Sequence, residues 1–299
     1  MSAASVQSRL ASLNLKSTLP PLTPLRLTPL VIDLLKRNDE EHDIFFNDGL
    51  HNHFPHALLS QFALGAPEER LKKEWELESN LEPLRPKQST DITDDNWKEH
   101  IGEKEFYHNY LGYFKSKIAK YGAKQTVVKY ALDSAVLIPF VSGAVHSMIH
   151  TAFGIEFDSD IVVAEGLAEA CVHKPGFAAA IDLDRYTKKD AKANKTLLEI
   201  VDEIYHDKVF DNVVNFKSFP KSDAVLNSKE APGPIRDYVM KWDFDESPEG
   251  IAKAWTQLFE MVTHFLASAA FPPPEAREKY KGKLHPILDF FLMYETSMT

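Results

Sequence analysis

The stretch Ala144-Val-His-Ser-Met-Ile-His-Thr-Ala-Phe153 is apolar on almost every side, so it should lie at the centre of the molecule and be surrounded by the other elements. It ends a segment from Gln125 to about Phe153 that we predict to form two helices, divided near Pro139. Outward from it, other segments carry apolar residues at helical spacing, and alternating strand patterns are scarce. The sequence therefore predicts an all-α architecture.

The other helices are predicted from the same periodicity and from proline and serine at helix starts. They cover Val31 to about Asp39, Pro55–Gly65, Trp97–Tyr121, Ser159–His173, Thr187–Val209, a segment beginning at Ser247-Pro248, and one beginning near Pro286. Residues 67–95 are polar and variable, and residues 210–245 are the least regular. We predict an extended or partly disordered arm over residues 1–29 and a single large helical domain over residues 30–299.

Composition excludes several classes of protein. The 299 residues are 44% apolar and 26% charged, which is typical of a globular protein, and the net charge of −10 argues against nucleic-acid binding. The single cysteine, Cys171, excludes an intrachain disulfide framework and indicates a reducing compartment, so we expect a cytoplasmic location. No apolar stretch approaches a membrane span, and the N-terminus lacks the order of a secretory signal.

Two histidine motifs are the strongest chemical signal. The first holds His51, His53 and His56, and the second holds His146 and His150, four residues apart on one helix face. Buried imidazoles need partners, because an unpaired polar group in an apolar interior is costly. A metal site and a hydrogen-bonded core both meet that need. A thiol-free set of histidines suits iron, copper or zinc better than magnesium or calcium.

Other titratable residues are weaker candidates. Glu156 follows the second motif as a carboxylate ligand or an orienting group, or as a surface charge at a helix end. His264 is an added ligand, a substrate contact or a core histidine. We predict that His42, His173 and His206 lie at the surface, as do Lys281 and Lys283.

Absent motifs also limit the chemistry. The sequence has no glycine-rich dinucleotide fingerprint, no phosphate-binding loop of the Walker type and no nucleophile elbow. A flavin or nicotinamide Rossmann domain is therefore not expected. If the protein is a redox enzyme, its oxygen chemistry should come from a metal or from the substrate itself.

The histidine motifs and their flanks resemble the questin oxidase-like family. The resemblance rests on Ile44–Leu59 with Ala63–Ala66, on His146–Phe157 with Val162–Ala168, and on Leu288–Met293. Trp97–Gly102 with Phe106, Tyr107 and Tyr110 fits as well. The similarity spans roughly residues 20–299.

The resemblance implies an oxygenase of fungal secondary metabolism that opens rings of aromatic polyketides such as anthraquinones, by Baeyer–Villiger-type or C–C-cleaving chemistry. It implies non-haem iron with His53, His56, His146 and His150 as metal ligands, and catalytic roles for the last three. His51 belongs to the motif as a further site residue. Dioxygen is implied as co-substrate and NADPH as reductant. A lysine modified by carbon dioxide is also implied as a ligand, with Lys283 as the candidate.

The sequence departs from the family pattern at two motif positions. Ala57 and Tyr294 stand where the family often has histidine. Family members commonly continue beyond the position of Thr299, so we expect this chain to lack the family's C-terminal part. Two other functions stay open: a non-catalytic helical protein that binds an aromatic ligand or a partner chain, and a metal-free oxygenase in which His56 or His146 ionises a phenol.

Overall fold

A computed structural model describes residues 26–47, 49–77, 81–174, 193–213, 221–245 and 247–270. Regular structure in these ranges is helical apart from one short antiparallel pair of strands and isolated bridges, which confirms the all-α prediction. The chain divides into two compact units, residues 1–183 and residues 184–299. The single domain over residues 30–299 stays a prediction. Residues 1–25 of the predicted arm and the helix predicted near Pro286 lie outside the described residues.

Seven helices and two strands carry the described part of the first unit. In chain order they are α1 (Pro29–Glu41), β1 (Phe45–Phe46), β2 (Leu50–His51), α2 (Phe54–Ala63), α3 (Glu68–Leu77), α4 (Tyr107–Tyr121), α5 (Ala123–Tyr130), α6 (Leu137–Glu156) and α7 (Asp160–Val172). The described helices of the second unit are α8 (Leu197–His206), α9 (Lys221–Leu226), α10 (Pro232–Val239) and α11 (Pro248–Ala270). Short 3₁₀ turns cover Lys104–Phe106 and Lys208–Phe210.

Helix starts follow the capping residues of the sequence. The Thr28 side chain accepts a hydrogen bond from the Val31 N–H, with proline at the first helical position of α1. The Ser247 hydroxyl accepts from the Gly250 N–H at 3.0 Å, at the start of α11. Both helices were predicted, and α2 likewise begins beside its proline.

Four expectations were wrong in detail. The helix predicted over Thr187–Val209 begins only at Leu197, because the Thr196 side chain caps it there. The helix predicted from Trp97 begins at Tyr107, because Gly102 has a left-handed φ of 89° that a helix cannot continue. Helix α3 was missed because its sequence is mostly charged, and only Leu71 and Glu74 in it are buried. The break that we predicted near Pro139 lies before it, at residues 131–136 between α5 and α6. Pro139 itself lies in the first turn of α6, where a proline is tolerated.

Helix α6 carries a sharp bend of its own. The axes of the pieces Leu137–Gly143 and Val145–Glu156 are bent by 96°. Gly143 and Val145, which flank the break, both have positive φ. No single helix in the described part of the chain is long and apolar enough to cross a membrane. The two bent pieces together pass that test by length and composition only.

Helix α7 is the centre of the first unit. Every residue from Val162 to Val172 is buried, so the helix has no exposed face over about three turns. It packs against α6 and α4, and also against α1 and α5. The core around it is largely aromatic, with Tyr107, Tyr110 and Phe114 of α4 among its members. A helix held on all sides can fix polar side chains at defined positions.

Two glycines set the close approach of α6 and α7. A Cβ on Gly166 of α7 would lie 2.7 Å from the Thr151 backbone nitrogen of α6. A Cβ on Gly154 of α6 would lie 2.5 Å from the Val163 backbone nitrogen of α7. Real Cβ atoms do not approach backbone this closely, so a side chain at either position forces the helices apart.

We predict that Gly166→Ala lowers the free energy of unfolding by about 1–3 kcal/mol, as overpacking does in a close-packed interior. Gly112→Ala is the matched control, since that helical glycine of α4 would meet only the end of the Lys87 side chain, at 3.5 Å. Alanine should be neutral there or stabilise by up to about 1 kcal/mol, because it is the better helix former. Urea unfolding measures both variants, and equal free energies would contradict the close approach.

Candidate functional site

Six histidines of the first unit lie together, and we name them the histidine cluster: His51, His53, His56, His146, His150 and His173. Ring centroids of His51 and His146 are 4.1 Å apart, and those of His56 and His150 are 4.8 Å apart. The rings of His53 and His146 are 5.0 Å apart. The structure therefore brings both sequence motifs into one site.

Local structure delivers each motif to this site. Strands β1 and β2 pair Phe45 with His51, and the chain then turns directly into α2. His53 precedes α2, and His56 lies in its first turn as predicted. The second motif follows the bend of α6.

The bend at Gly143 serves two histidines at once. The Gly143 carbonyl accepts a hydrogen bond from His146 Nδ1 at 2.5 Å. A Cβ on Gly143 would overlap the His173 ring at Nε2, so only glycine leaves room for that imidazole. Gly143 has a φ of 55° and Val145 a φ of 61°, and the left-handed region is costly for a β-branched residue. Such backbone strain is concentrated at functional sites.

Backbone carbonyls fix the tautomers of two imidazoles. His146 donates from Nδ1 to Gly143, and His173 donates from Nδ1 to the Lys174 carbonyl at 3.2 Å. Their Nε2 atoms are therefore acceptors in the neutral rings, an assignment made from the hydrogen-bond network. His53 Nε2 then donates to His146 Nε2 at 2.8 Å, and His51 Nε2 to His173 Nε2 at 3.2 Å.

Two buried carboxylates of α7 lie against the cluster. Glu165 Oε2 is 2.9 Å from His150 Nε2, and Glu169 Oε1 is 3.4 Å from His51 Nε2. Glu165 is 2% exposed and Glu169 is 1% exposed. Burial raises the pKa of each carboxyl to about 8, because the charged form loses its hydration. Such shifted groups next to histidines are typical of functional sites.

A series of hydrogen bonds through Asn52 and Asn38 connects the first motif to Glu165, which contacts His150 of the second motif. Asn38 Nδ2 donates to Glu165 Oε1 at 3.4 Å, and Asn52 Nδ2 donates to Asn38 Oδ1 at 3.0 Å. The Phe54 N–H donates to Asn52 Oδ1 at 3.0 Å, at the start of α2. Asn38 is 1% exposed and Asn52 is 2% exposed. The relative position of α2 and α7 is therefore fixed by paired polar groups in the interior.

The imidazoles are held in their neutral form. Burial lowers the pKa of His53 to about 4 and that of His150 to about 3. It also lowers the pKa of His51 and of His56 to about 2, and the pKa values of His146 and His173 fall below the usual range for the same reason. His56 Nε2 and His150 Nδ1 are buried nitrogens without a hydrogen-bond partner in the structure. Neutral rings of this kind offer lone pairs to a ligand.

The prediction that His173 lies at the surface was wrong, and Glu165 and Glu169 were not identified. Glu165, Glu169 and His173 are spaced four residues apart. The two carboxyl groups therefore lie on one face of α7, and His173 continues that line at the C-terminal end of the helix. The signal was present in the sequence: two acidic residues inside the otherwise apolar helix, in line with a histidine. Charged residues are rarely fully buried unless they are paired, and the histidine motifs supply the partners.

The remaining candidates lie elsewhere or outside the described residues. Glu156 is exposed at the end of α6 and does not join the cluster. His264 is on α11 of the second unit, where the structure does not describe its side chain, and Lys281, Lys283 and Tyr294 lie outside the described residues. His206 is exposed as predicted, whereas His42 is half-buried against Trp75.

The donor chemistry of the cluster fits a transition metal. Metal-ligating histidines usually give their other ring nitrogen to a carbonyl or carboxylate, as His146, His150 and His173 do here. The arrangement of the side chains fits a metal less well than their chemistry does. Among the described residues, no three His, Cys, Asp or Glu side chains are arranged to hold one ion. His53 and His146 nitrogens 2.8 Å apart are hydrogen-bonded to each other, closer than the about 3.4 Å expected for two ligands of one tetrahedral ion.

Comparison with known proteins places the site in a family. The sequence model of the questin oxidase-like family matches residues 50–298. A protein named Baeyer–Villiger oxidase ptaJ from Pestalotiopsis fici is 31% identical over 281 residues, which cover 88% of this chain and 60% of that protein. A questin oxidase from Aspergillus fumigatus is 31% identical over 47% of this chain and 34% of its own length. The chain thus spans about a third to three fifths of these two relatives.

We predict that Gly143→Ala displaces His173 and costs more stability than Gly65→Ala. Both glycines have positive φ, but a Cβ on Gly65 meets nothing within 4 Å. The backbone cost of about 1–2 kcal/mol is then common to both, and the excess in Gly143→Ala reports the clash with the imidazole. Urea unfolding and the ring ¹⁵N signals of His173 measure the effect, and equal stability with unchanged signals would contradict this packing.

Proposed function

The chain belongs to the questin oxidase-like family, and we propose that it is an oxygenase acting on an aromatic polyketide such as an anthraquinone. The relatives named above come from fungi and are called a Baeyer–Villiger oxidase and a questin oxidase. Because the chain covers only part of their length, the activity and the substrate are proposals for this protein. A role in fungal secondary metabolism follows from the same relationship.

The observation that carries the proposal is how the histidines are oriented. His150 is held through Nε2 by the Glu165 carboxyl group, and its Nδ1 is buried with no hydrogen-bond partner in the structure. His56 adds a buried nitrogen with no hydrogen-bond partner. An interior that only needed satisfied histidines would not leave such atoms unpaired.

We propose that His53, His56, His146 and His150 hold non-haem iron. When bound, iron would supply Lewis-acid and redox chemistry toward dioxygen and a phenolic or quinone oxygen. The imidazoles are kept neutral by burial, which is the form that binds metals. Glu165 orients the His150 ring through a hydrogen bond, and Glu169 lies 3.4 Å from His51 Nε2.

The apolar residues beside the cluster would exclude water and contact a flat ring. Phe153 lies against His56, with ring centroids 5.0 Å apart. Phe54 and Phe140 are buried in the two hydrophobic cores. Of these three aromatic residues, Phe153 contacts a cluster histidine.

A Baeyer–Villiger-type step places one oxygen atom of dioxygen between a carbonyl carbon and its ring neighbour. The C–C bond breaks and two C–O bonds form to the inserted atom, while the second oxygen atom leaves as water. That reduction consumes two electrons and two protons. NADPH is the proposed source of both electrons and one proton, as hydride, and the solvent supplies the second proton. NADPH use and the cytoplasmic location remain predictions.

We predict that the metal-loaded protein, supplied with NADPH and ¹⁸O₂, converts a hydroxylated anthraquinone into a ring-opened or lactone product that carries ¹⁸O. His146→Ala should lower the rate more than about 100-fold, because it removes a proposed ligand. His206→Ala is the control, since this exposed histidine of α8 bonds only within its own helix and should leave the rate unchanged. Mass spectrometry of the product measures both the rate and the label.

The alternatives give different results in the same assay. Activity that survives metal chelation but falls in His56→Ala would indicate a mechanism that uses a histidine base and no metal. The pKa of His56, lowered to about 2 by burial, makes that ring a weak base and favours a ligand role. Tight binding of hydroxylated anthraquinones without turnover by metal-loaded protein would contradict the oxygenase and indicate a ligand-binding protein.

A further inference from the structure

Glu165 contacts the histidine of the second motif whose other nitrogen lacks a partner. Its Oε2 lies 2.9 Å from His150 Nε2, and His150 Nδ1 is buried with no hydrogen-bond partner in the structure. Both side chains are almost completely buried, with 1% and 2% exposed. Water therefore cannot compete for Nε2, and the ring is held in one orientation.

We propose that Glu165 is a positioning residue that holds His150 through Nε2, so that Nδ1 is the nitrogen with which His150 binds the metal. The inference rests on the proposed function, because it concerns the same metal site. It assigns a role to a residue outside both histidine motifs. It also separates His150 from His146, which is held by a backbone carbonyl through the other ring nitrogen, Nδ1.

The hydrogen bond between Glu165 and His150 leaves one nitrogen of His150 for a metal. A ring nitrogen that shares a hydrogen with a carboxylate cannot bind a metal ion at the same time. Either position of the shared proton keeps Nε2 in this bond, and only Nδ1 remains for coordination. The other ring nitrogen sets which atom binds, as it does in carboxylate–histidine–metal arrangements.

Glu165 is itself held in place. Asn38 donates to its second oxygen, and Asn52 donates to Asn38 while accepting from the Phe54 N–H. The same chain begins at α2, which carries His56 in its first turn. Glu165 therefore transmits the position of the first motif to His150 as well as fixing the ring.

The test uses the full chain labelled with ¹⁵N at histidine. NMR spectra are recorded on Zn²⁺-loaded protein, and the affinity for Co²⁺ is measured by titration. In the wild type, long-range ¹H–¹⁵N spectra should show His150 bound through Nδ1, with a hydrogen on Nε2. Glu165→Leu should weaken Co²⁺ binding about 10–100-fold, the usual effect of losing an orienting partner. Glu165→Gln keeps an acceptor at the same place and should recover most of that affinity.

Glu74→Leu is the matched control. Glu74 is another buried carboxylate of the first unit, and it accepts from Gln61 and pairs with Arg70 on α3 rather than with a histidine. Its loss should lower stability without changing Co²⁺ affinity. A purely structural role for Glu165 would give the two leucine variants the same affinity, and thermal unfolding shows whether each is folded at the assay temperature.

The outcomes separate this inference from the proposed function. Zn²⁺ bound through His150 Nε2, or equal Co²⁺ affinity in Glu165→Leu and Glu74→Leu, would overturn the positioning role while leaving the metal site intact. Failure of the wild type to bind Zn²⁺, Co²⁺ or iron would contradict the metal site of the proposed function, and with it this role of Glu165. Nδ1 coordination with the expected loss of affinity supports both.

Discussion

The burial of several neutral imidazoles against two carboxylates is the constraint on which the rest of the first unit depends. Each polar group taken from water needs a partner, and an unpaired one costs about 1–3 kcal/mol. The histidine cluster meets most of this need through ring–ring, ring–carbonyl and ring–carboxylate hydrogen bonds. Two ring nitrogens of the cluster, His56 Nε2 and His150 Nδ1, have no partner in the structure, and they are the atoms that we propose bind a ligand.

The fold is arranged to hold that cluster in place. Helix α7 is buried from Val162 to Val172 and carries both carboxyl groups in that stretch, so they cannot turn toward solvent. The bend of α6 turns one carbonyl onto His146 and leaves room for His173, at the cost of a left-handed valine. Asn38 and Asn52 join α2 to α7 through hydrogen bonds in the interior. Small changes at these positions therefore act on the chemistry and on the packing together.

Much of the fold and part of the site could be predicted from the sequence. Periodicity and proline caps located α1, α2 and α11, and the spacing of His146 and His150 placed them on one face. Patterns of this kind report which residues are buried, but not which partners they meet. The need for glycine at position 143 comes from its contact with His173, and the proposed role of Glu165 depends on burial by helices distant in sequence. Neither is visible in local periodicity, although the four-residue spacing of Glu165, Glu169 and His173 marked their shared face.

X-ray absorption at the iron edge of iron-loaded protein shows whether the histidine cluster binds iron, because it counts imidazole ligands around the metal. We predict about one iron per chain with a nitrogen and oxygen shell, clear multiple scattering from several imidazoles and no sulfur scatterer. The lone thiol, Cys171, is buried and its pKa is raised by burial, so it should not contribute. Protein that takes up no iron, or iron bound without imidazole scattering, would contradict the histidine cluster as a metal site.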